Sequence, residues 1–205
     1  MECPESKADA VTSSPTAVNP AGDRVIVLVG LMGAGKSTVG RRLAARLGVN
    51  FLDADSEIET AAGMTIAEIF EKHGEPAFRR GECKVIERLL QDMHKGNPPG
   101  GVLATGGGAF MNQETRENIA RYGVSIWLRA DVDLLLKRVA RRNNRPLLKQ
   151  GDQRETLSRL RDERYPVYAL ADIVVDSVDA PHEEVVNIIL EKLGDYFSPP
   201  QDHPV

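Results

Sequence analysis

Residues 30–37 read Gly30-Leu-Met-Gly33-Ala-Gly35-Lys36-Ser37, a match to the pattern G-x-x-x-x-G-K-[ST]. The match stands where its chemistry requires it. It follows the β-rich run Val25-Ile26-Val27-Leu28-Val29 directly and precedes a segment with Leu43 and Leu47 at helical spacing. Glycines let the backbone wrap so that its N–H groups and the helix N-terminus face an anion. Lys36 supplies a point charge, and the Ser37 hydroxyl is a ligand for Mg²⁺. The competing reading is a plain glycine-rich turn, and the flanking strand and helix weigh against it. A strand, a phosphate-wrapping loop and a helix thus constrain everything that follows.

From Arg24 onward, short β-rich runs alternate with helical ones. Strands are expected at 24–29, 51–53, 101–104, 124–128 and 172–175. Helical spacing appears in Leu43 and Leu47; Val85, Ile86, Leu89, Leu90 and Met93; Val132, Leu135, Leu136 and Val139; and Val185, Val186, Ile189 and Leu193. Such alternation predicts right-handed crossovers and a parallel sheet with helices on both faces, a three-layer α/β domain. Ligands then bind beyond the carboxyl ends of the strands. Two stretches break the alternation and read as inserted functional elements: 54–93, helical without a strand, and 142–154, polar and rich in Arg and Asn.

At 205 residues the chain suits one domain with insertions. Residues 1–23, mostly Pro, Ser, Thr, Ala and acidic residues, read as a disordered tail and resemble neither a secretory signal nor a transit peptide. The body therefore spans 24–197, with a flexible end at 198–205. Lys plus Arg total 26 against 30 for Asp plus Glu, a formal net charge of −4, which argues against general nucleic-acid or anionic-membrane affinity. No apolar run approaches the roughly 20 residues of a membrane-spanning helix. Cys3 and Cys83 make no disulfide framework and show no metal-ligand spacing with His73 or His94, so a reducing cytosol is expected.

A phosphate loop alone does not separate kinases from hydrolases or switches. In Asp53-Ala-Asp55 two carboxylates stand on one side of an extended segment, one able to face a metal and the other an incoming hydroxyl. Asp55 as a helix N-cap is the alternative. Arg79, in Phe78-Arg79-Arg80, is either a ligand for an anion or part of a solvated helical face. Gly106-Gly107-Gly108 follows a strand and either lets backbone approach a ligand closely or forms a flexible turn. The run from Lys137 through Arg138, Arg141 and Arg142 to Arg145 is a solvated helix end, a nucleic-acid patch disfavoured by the overall acidity, or a mobile basic flap over phosphates. Arg164 says little by itself.

Together these residues resemble the shikimate kinase family. The resemblance runs from about Val25 to Leu193, through the glycine-rich loop, Phe51-Leu-Asp-Ala-Asp55, Ile69-Phe-Glu-Lys-His-Gly-Glu75, Phe78-Arg79-Arg80, Gly106-Gly-Gly108, Arg145-Pro-Leu-Leu148 and Arg164-Tyr-Pro-Val-Tyr168. It implies a P-loop kinase fold with strand order 2-3-1-4-5, a helical substrate-binding insertion at 54–93 and a mobile lid at 142–154. It implies ATP contacts at Gly33, Ala34, Gly35, Lys36, Ser37, Thr38, Arg138, Arg145 and Pro181, with Arg138 and Pro181 on either side of the adenine. Mg²⁺ is implied at Ser37, with Asp53 acting through water. Shikimate is implied at Asp55, Arg79, Gly106, Gly107, Gly108 and Arg164, the two arginines holding its carboxylate. Asp55, Lys36 and Arg145 are the implied catalytic residues. The expected activity is transfer of the γ-phosphoryl group of MgATP to the 3-hydroxyl of shikimate by a cytoplasmic monomer. Two rivals remain: a kinase of another small acceptor, such as gluconate or a nucleoside monophosphate, and a non-catalytic ATP-binding regulator.

Overall fold

The structure, a computed structural model, describes residues 19–140, 152–177 and 179–198. Five strands form one parallel sheet in the order β2-β3-β1-β4-β5, as the family resemblance implied. They are β1 (Val25–Val29), β2 (Phe51–Asp53), β3 (Gly101–Ala104), β4 (Gly123–Arg129) and β5 (Ile173–Asp176). Every residue of β1 is buried, which is why it reads as an unbroken apolar run rather than an alternating one. Register aligns Leu28 with Ala104 on one side and with Ile126 on the other, so the loops after β1, β3 and β4 leave the same edge of the sheet.

The helices are α1 (Lys36–Leu47), α2 (Ala54–Ala62), α3 (Ile66–His94), α4 (Gln113–Tyr122), α5 (Val132–Ala140), α6 (Gln153–Tyr168) and α7 (His182–Phe197). Pairs α1 with α7 and α3 with α4 pack together and flank the sheet. The α1 stripe of Val39, Leu43, Ala44 and Leu47 faces the core, as its spacing predicts. The insertion is indeed helical, and it divides at two places. Gly63 ends α2, and a Thr65–Glu68 capping box starts α3. Within α3, Gly74 leaves helical geometry at φ 75 and Pro76 follows, so Ile66–His94 is two helices across a kink.

Two expectations shift. The expected tail reaches too far: Asn19–Asp23 belong to a turn in which the Asn19 side chain bonds the backbone at Ala21 and Gly22, and Ala21 is buried in the core. Helix α4 had no signal in the apolar spacing, because only Ile119 of its large aliphatic positions is buried and polar residues make up most of it. Among the described residues no helix is long and apolar enough to cross a membrane.

Candidate active site

The glycine-rich loop turns from β1 into α1 through Gly35, whose left-handed φ of 97 suits a residue without a Cβ. Lys36 Nζ donates to the carbonyls of Gly30 at 2.8 Å and Leu31 at 3.0 Å, which places its charge across the mouth of the loop. Gly33, Gly35, Lys36, Ser37 and Thr38 line a cavity of about 450 Å³, and Arg138 and Pro181 line it from the opposite side. Ala34 is buried, and its carbonyl accepts from Arg138 Nη1 at 3.3 Å and Ser177 Oγ at 3.2 Å. Burial pulls the Arg138 guanidinium below its ordinary value, while Asp179 and Asp131 act in the other direction. The cavity also includes Lys137, Val139, Asp179, Ala180 and His182, and Lys137 pairs with Asp179. Of these, only Lys137 carried a signal in the sequence, as the start of the basic run.

At the end of β2, Asp53 does the capping that was open to Asp55. Its Oδ1 accepts from the Asp55 N–H at 3.2 Å, at the start of α2. Its Oδ2 accepts from the Ser37 hydroxyl at 2.6 Å. A hydroxyl and a carboxylate are thereby joined beside the phosphate loop, an oxygen pair of the kind hard divalent cations select. Among the described residues no group of three His, Cys, Asp or Glu side chains is placed to hold a metal by itself, so a cation here would need oxygens from its ligand.

Beyond β3 lies the second half of the cleft. The three glycines each face one of the three side chains singled out from elsewhere in the chain. A Cβ on Gly106 would lie 2.7 Å from Asp55 Oδ1; on Gly107, 3.3 Å from Arg164 Nη1; on Gly108, 2.5 Å from Arg79 Nη1. Helices α2, α6 and α3 thus converge on one turn, and only glycine leaves room for all three. Arg164 Nη1 donates to the Gly107 carbonyl at 2.8 Å.

Arg79 is no solvated face residue. Its Nη1 donates to Glu82 at 2.7 Å, and its Nε and Nη2 donate to Glu75 at 3.2 and 3.1 Å. Burial works against the Arg79 charge, and the two carboxylates more than offset it, holding the guanidinium above its ordinary value. Glu82 is the residue that sequence reasoning missed. It is buried, 2.9 Å from a Cβ built on Gly106, and burial pushes its carboxyl above the ordinary 4.5 while Arg79 pulls the other way. Its signal was positional: Phe78, Glu82, Ile86 and Leu90 recur every four residues along the buried stripe of α3. A carboxylate on that stripe requires a partner.

Arg145 and most of the expected lid fall outside the described residues. The other predicted site residues gather around the glycine-rich loop and its cavity and around the glycine turn after β3, which meet where Gly107 faces Gly30.

The description "Shikimate kinase" belongs to the family model that matches residues 32–194, most of the chain. The chain belongs to the shikimate kinase family. A shikimate kinase from Rhodopseudomonas palustris is 58% identical over 182 residues, which is 88% of this chain and 87% of that protein. One from Paramagnetospirillum magneticum is 58% identical over 174 residues, 85% and 86% of the two chains. Among solved structures, shikimate kinase from Acinetobacter baumannii in complex with shikimate is similar at a TM-score of 0.76 and 40% identity, covering 83% of this chain and 92% of that one.

Proposed function

We propose how the reaction of the shikimate kinase family, transfer of the γ-phosphoryl group of ATP to a hydroxyl of shikimate, maps onto the two halves of this cleft. ATP occupies the 450 Å³ cavity, its phosphates against the N–H groups at the start of α1 and against Lys36. Arg138 and Pro181 flank the adenine. Shikimate sits beside Gly106–Gly108, its carboxylate held by Arg79 and Arg164 and its 3-hydroxyl by Asp55. The carrying observation is the convergence of one carboxylate and two guanidiniums on the glycine turn. An acceptor with both a carboxylate and hydroxyls suits that set, and because gluconate also carries both, membership of the shikimate kinase family is what favours shikimate.

The Ser37–Asp53 pair fits Mg²⁺, with Ser37 as a ligand and Asp53 acting through water. Bound there, the ion would neutralise charge on the β- and γ-phosphates. Asp55 orients the attacking hydroxyl and takes its proton as the bond to phosphorus forms; a loose transition state asks for little proton removal beforehand. Lys36 and Arg145, the latter carried by the lid of the family pattern, stabilise charge on the transferring group. We assign the work to a single domain, which takes in the Asn19–Asp23 turn, acting as a monomer, since one chain supplies both halves of the cleft. Cys83, a buried free thiol, is at home in a reducing cytosol.

Asp55→Asn tests the assignment. Turnover should fall about 100-fold or more, the scale of lost acid–base catalysis. ATP affinity by calorimetry should stay within about twofold, because Asp55 lies outside the nucleotide cavity. Near-normal turnover in this variant would remove Asp55 from the reaction.

A further inference from the structure

Tyr168 closes α6 and is fully buried, its ring against Trp127 at 5.9 Å and Phe110 at 6.4 Å between centroids. Its hydroxyl donates to the carbonyl of Gly107, the same oxygen that accepts from Arg164. Burial pushes this phenol up to about 12 although Arg164 pulls the other way, so it remains a protonated donor at ordinary pH. Tyr165, one turn earlier and packed on the same tryptophan at 4.8 Å, directs its hydroxyl to the carbonyl of Ala130 instead.

The glycine turn has no side chains to hold it, and glycine is the residue with the widest choice of backbone conformations. Backbone bonds from Ala109 and Met111 hold the carbonyls of Gly106 and Gly108, whereas the bonds to the Gly107 carbonyl come from α6. Because a peptide unit is planar, anchoring the Gly107 carbonyl toward α6 also fixes the Gly108 N–H, which points the opposite way. Gly108 is the glycine against Arg79, and Gly107 is the one against Arg164. The buried Tyr168 hydroxyl, together with Arg164, therefore sets the peptide between the seats of both arginines.

We infer that Tyr168 is a positioning residue for acceptor recognition: through the Gly107 carbonyl it holds the turn on which Arg79 and Arg164 rest. This rests on the assignment of those arginines to the shikimate carboxylate.

Tyr168→Phe removes one oxygen and keeps the ring packing. KM for shikimate should rise about fivefold to tenfold, the scale of one hydrogen bond, with KM for ATP within about twofold of the parent. Tyr165→Phe, a matched loss of hydroxyl from the same aromatic cluster, should leave KM for shikimate unchanged. The inference fails if shikimate KM does not move in Tyr168→Phe, if both KM values rise together, or if Tyr165→Phe gives the same split. An unfolded Tyr168→Phe would also overturn it, since a hydroxyl that only positions the turn is not required for folding. A parent enzyme that releases ADP without regard to shikimate would instead remove the acceptor assignment on which the inference stands.

Discussion

Single residues at this site carry paired duties, and Glu82 shows most clearly how function is set against stability. Its carboxylate aligns Arg79 yet is buried, and burial raises its pKa in the folded state. A folded-state pKa above the unfolded value contributes stability that is fully present below that unfolded value, near 4.5, and is lost as pH rises through the folded one. Glu82→Gln lacks this penalty. The melting temperature of the variant relative to the parent should therefore shift in the variant's favour between pH 4 and pH 7, while KM for shikimate rises about tenfold through the loss of a charge-assisted bond to Arg79. A relative melting temperature that moves the other way, or an unchanged KM, would contradict this reading. Lys36 and Ser37 were legible in the sequence as reactive types at fixed places in a motif, whereas Asp55, Arg79 and Arg164 were singled out only through the family resemblance, each having a plainer reading or none by itself. Glu82 was not, because burial of a carboxylate becomes visible only when the apolar stripe of α3 is read through it. Asp53 was legible as a site residue, but its capping of α2 was not, since a helical pattern starting at Ser56 pointed to Asp55 as the cap.

Among the elements, the turn after β3 is the one whose role changed most on inspection of the fold. Three glycines at a strand end signal close approach, and the sequence reading supplied a ligand as the thing approached. Side chains from α2, α6 and α3 press on them as well. Gly106→Ala would put a methyl group 2.7 Å from Asp55 Oδ1 and 2.9 Å from Glu82 Oε1, both at the ends of side chains that can move. The fold should survive and Asp55 should shift, lowering kcat about tenfold to 100-fold, as misplacement of a reacting group does. Gly194→Ala in α7 has open space around its Cβ and serves as the control, with unchanged kcat and a helix more stable by about 0.5–1 kcal/mol. Equal turnover of the two variants would show that the turn does not seat Asp55. Strands were legible because β1, β3 and β4 are buried on both faces and read as apolar runs. Helix α4 was not, because its packing relies on few apolar positions, and the kink at Gly74 lies inside a segment whose apolar period does not announce it.

At the scale of the whole molecule, the parallel sheet is what brings the two proposed binding sites together. Loops after β1 and β3 leave the same edge, so the phosphate loop and the glycine turn become neighbours although some 70 residues separate them in sequence. Alternation of strands and helices foretold the layers. Strand order came from the resemblance alone, because periodicity does not say which strands pair. The far wall of the nucleotide cavity, formed where α5 meets the Asp179–His182 segment, was legible only at Arg138, Pro181 and the basic run. Its remaining residues are of common types that gather only when β5 takes its place beside β4. This cleft is assigned to couple ATP to shikimate rather than to gluconate or a nucleotide. The most direct test of that assignment is ADP release from MgATP by the purified chain with shikimate, quinate, gluconate, AMP, CMP or no acceptor. Release that requires shikimate and stays at background with gluconate, AMP, CMP or no acceptor is the expected result. Equal release with gluconate or a nucleotide, or ATP binding without turnover on any acceptor, would contradict the account.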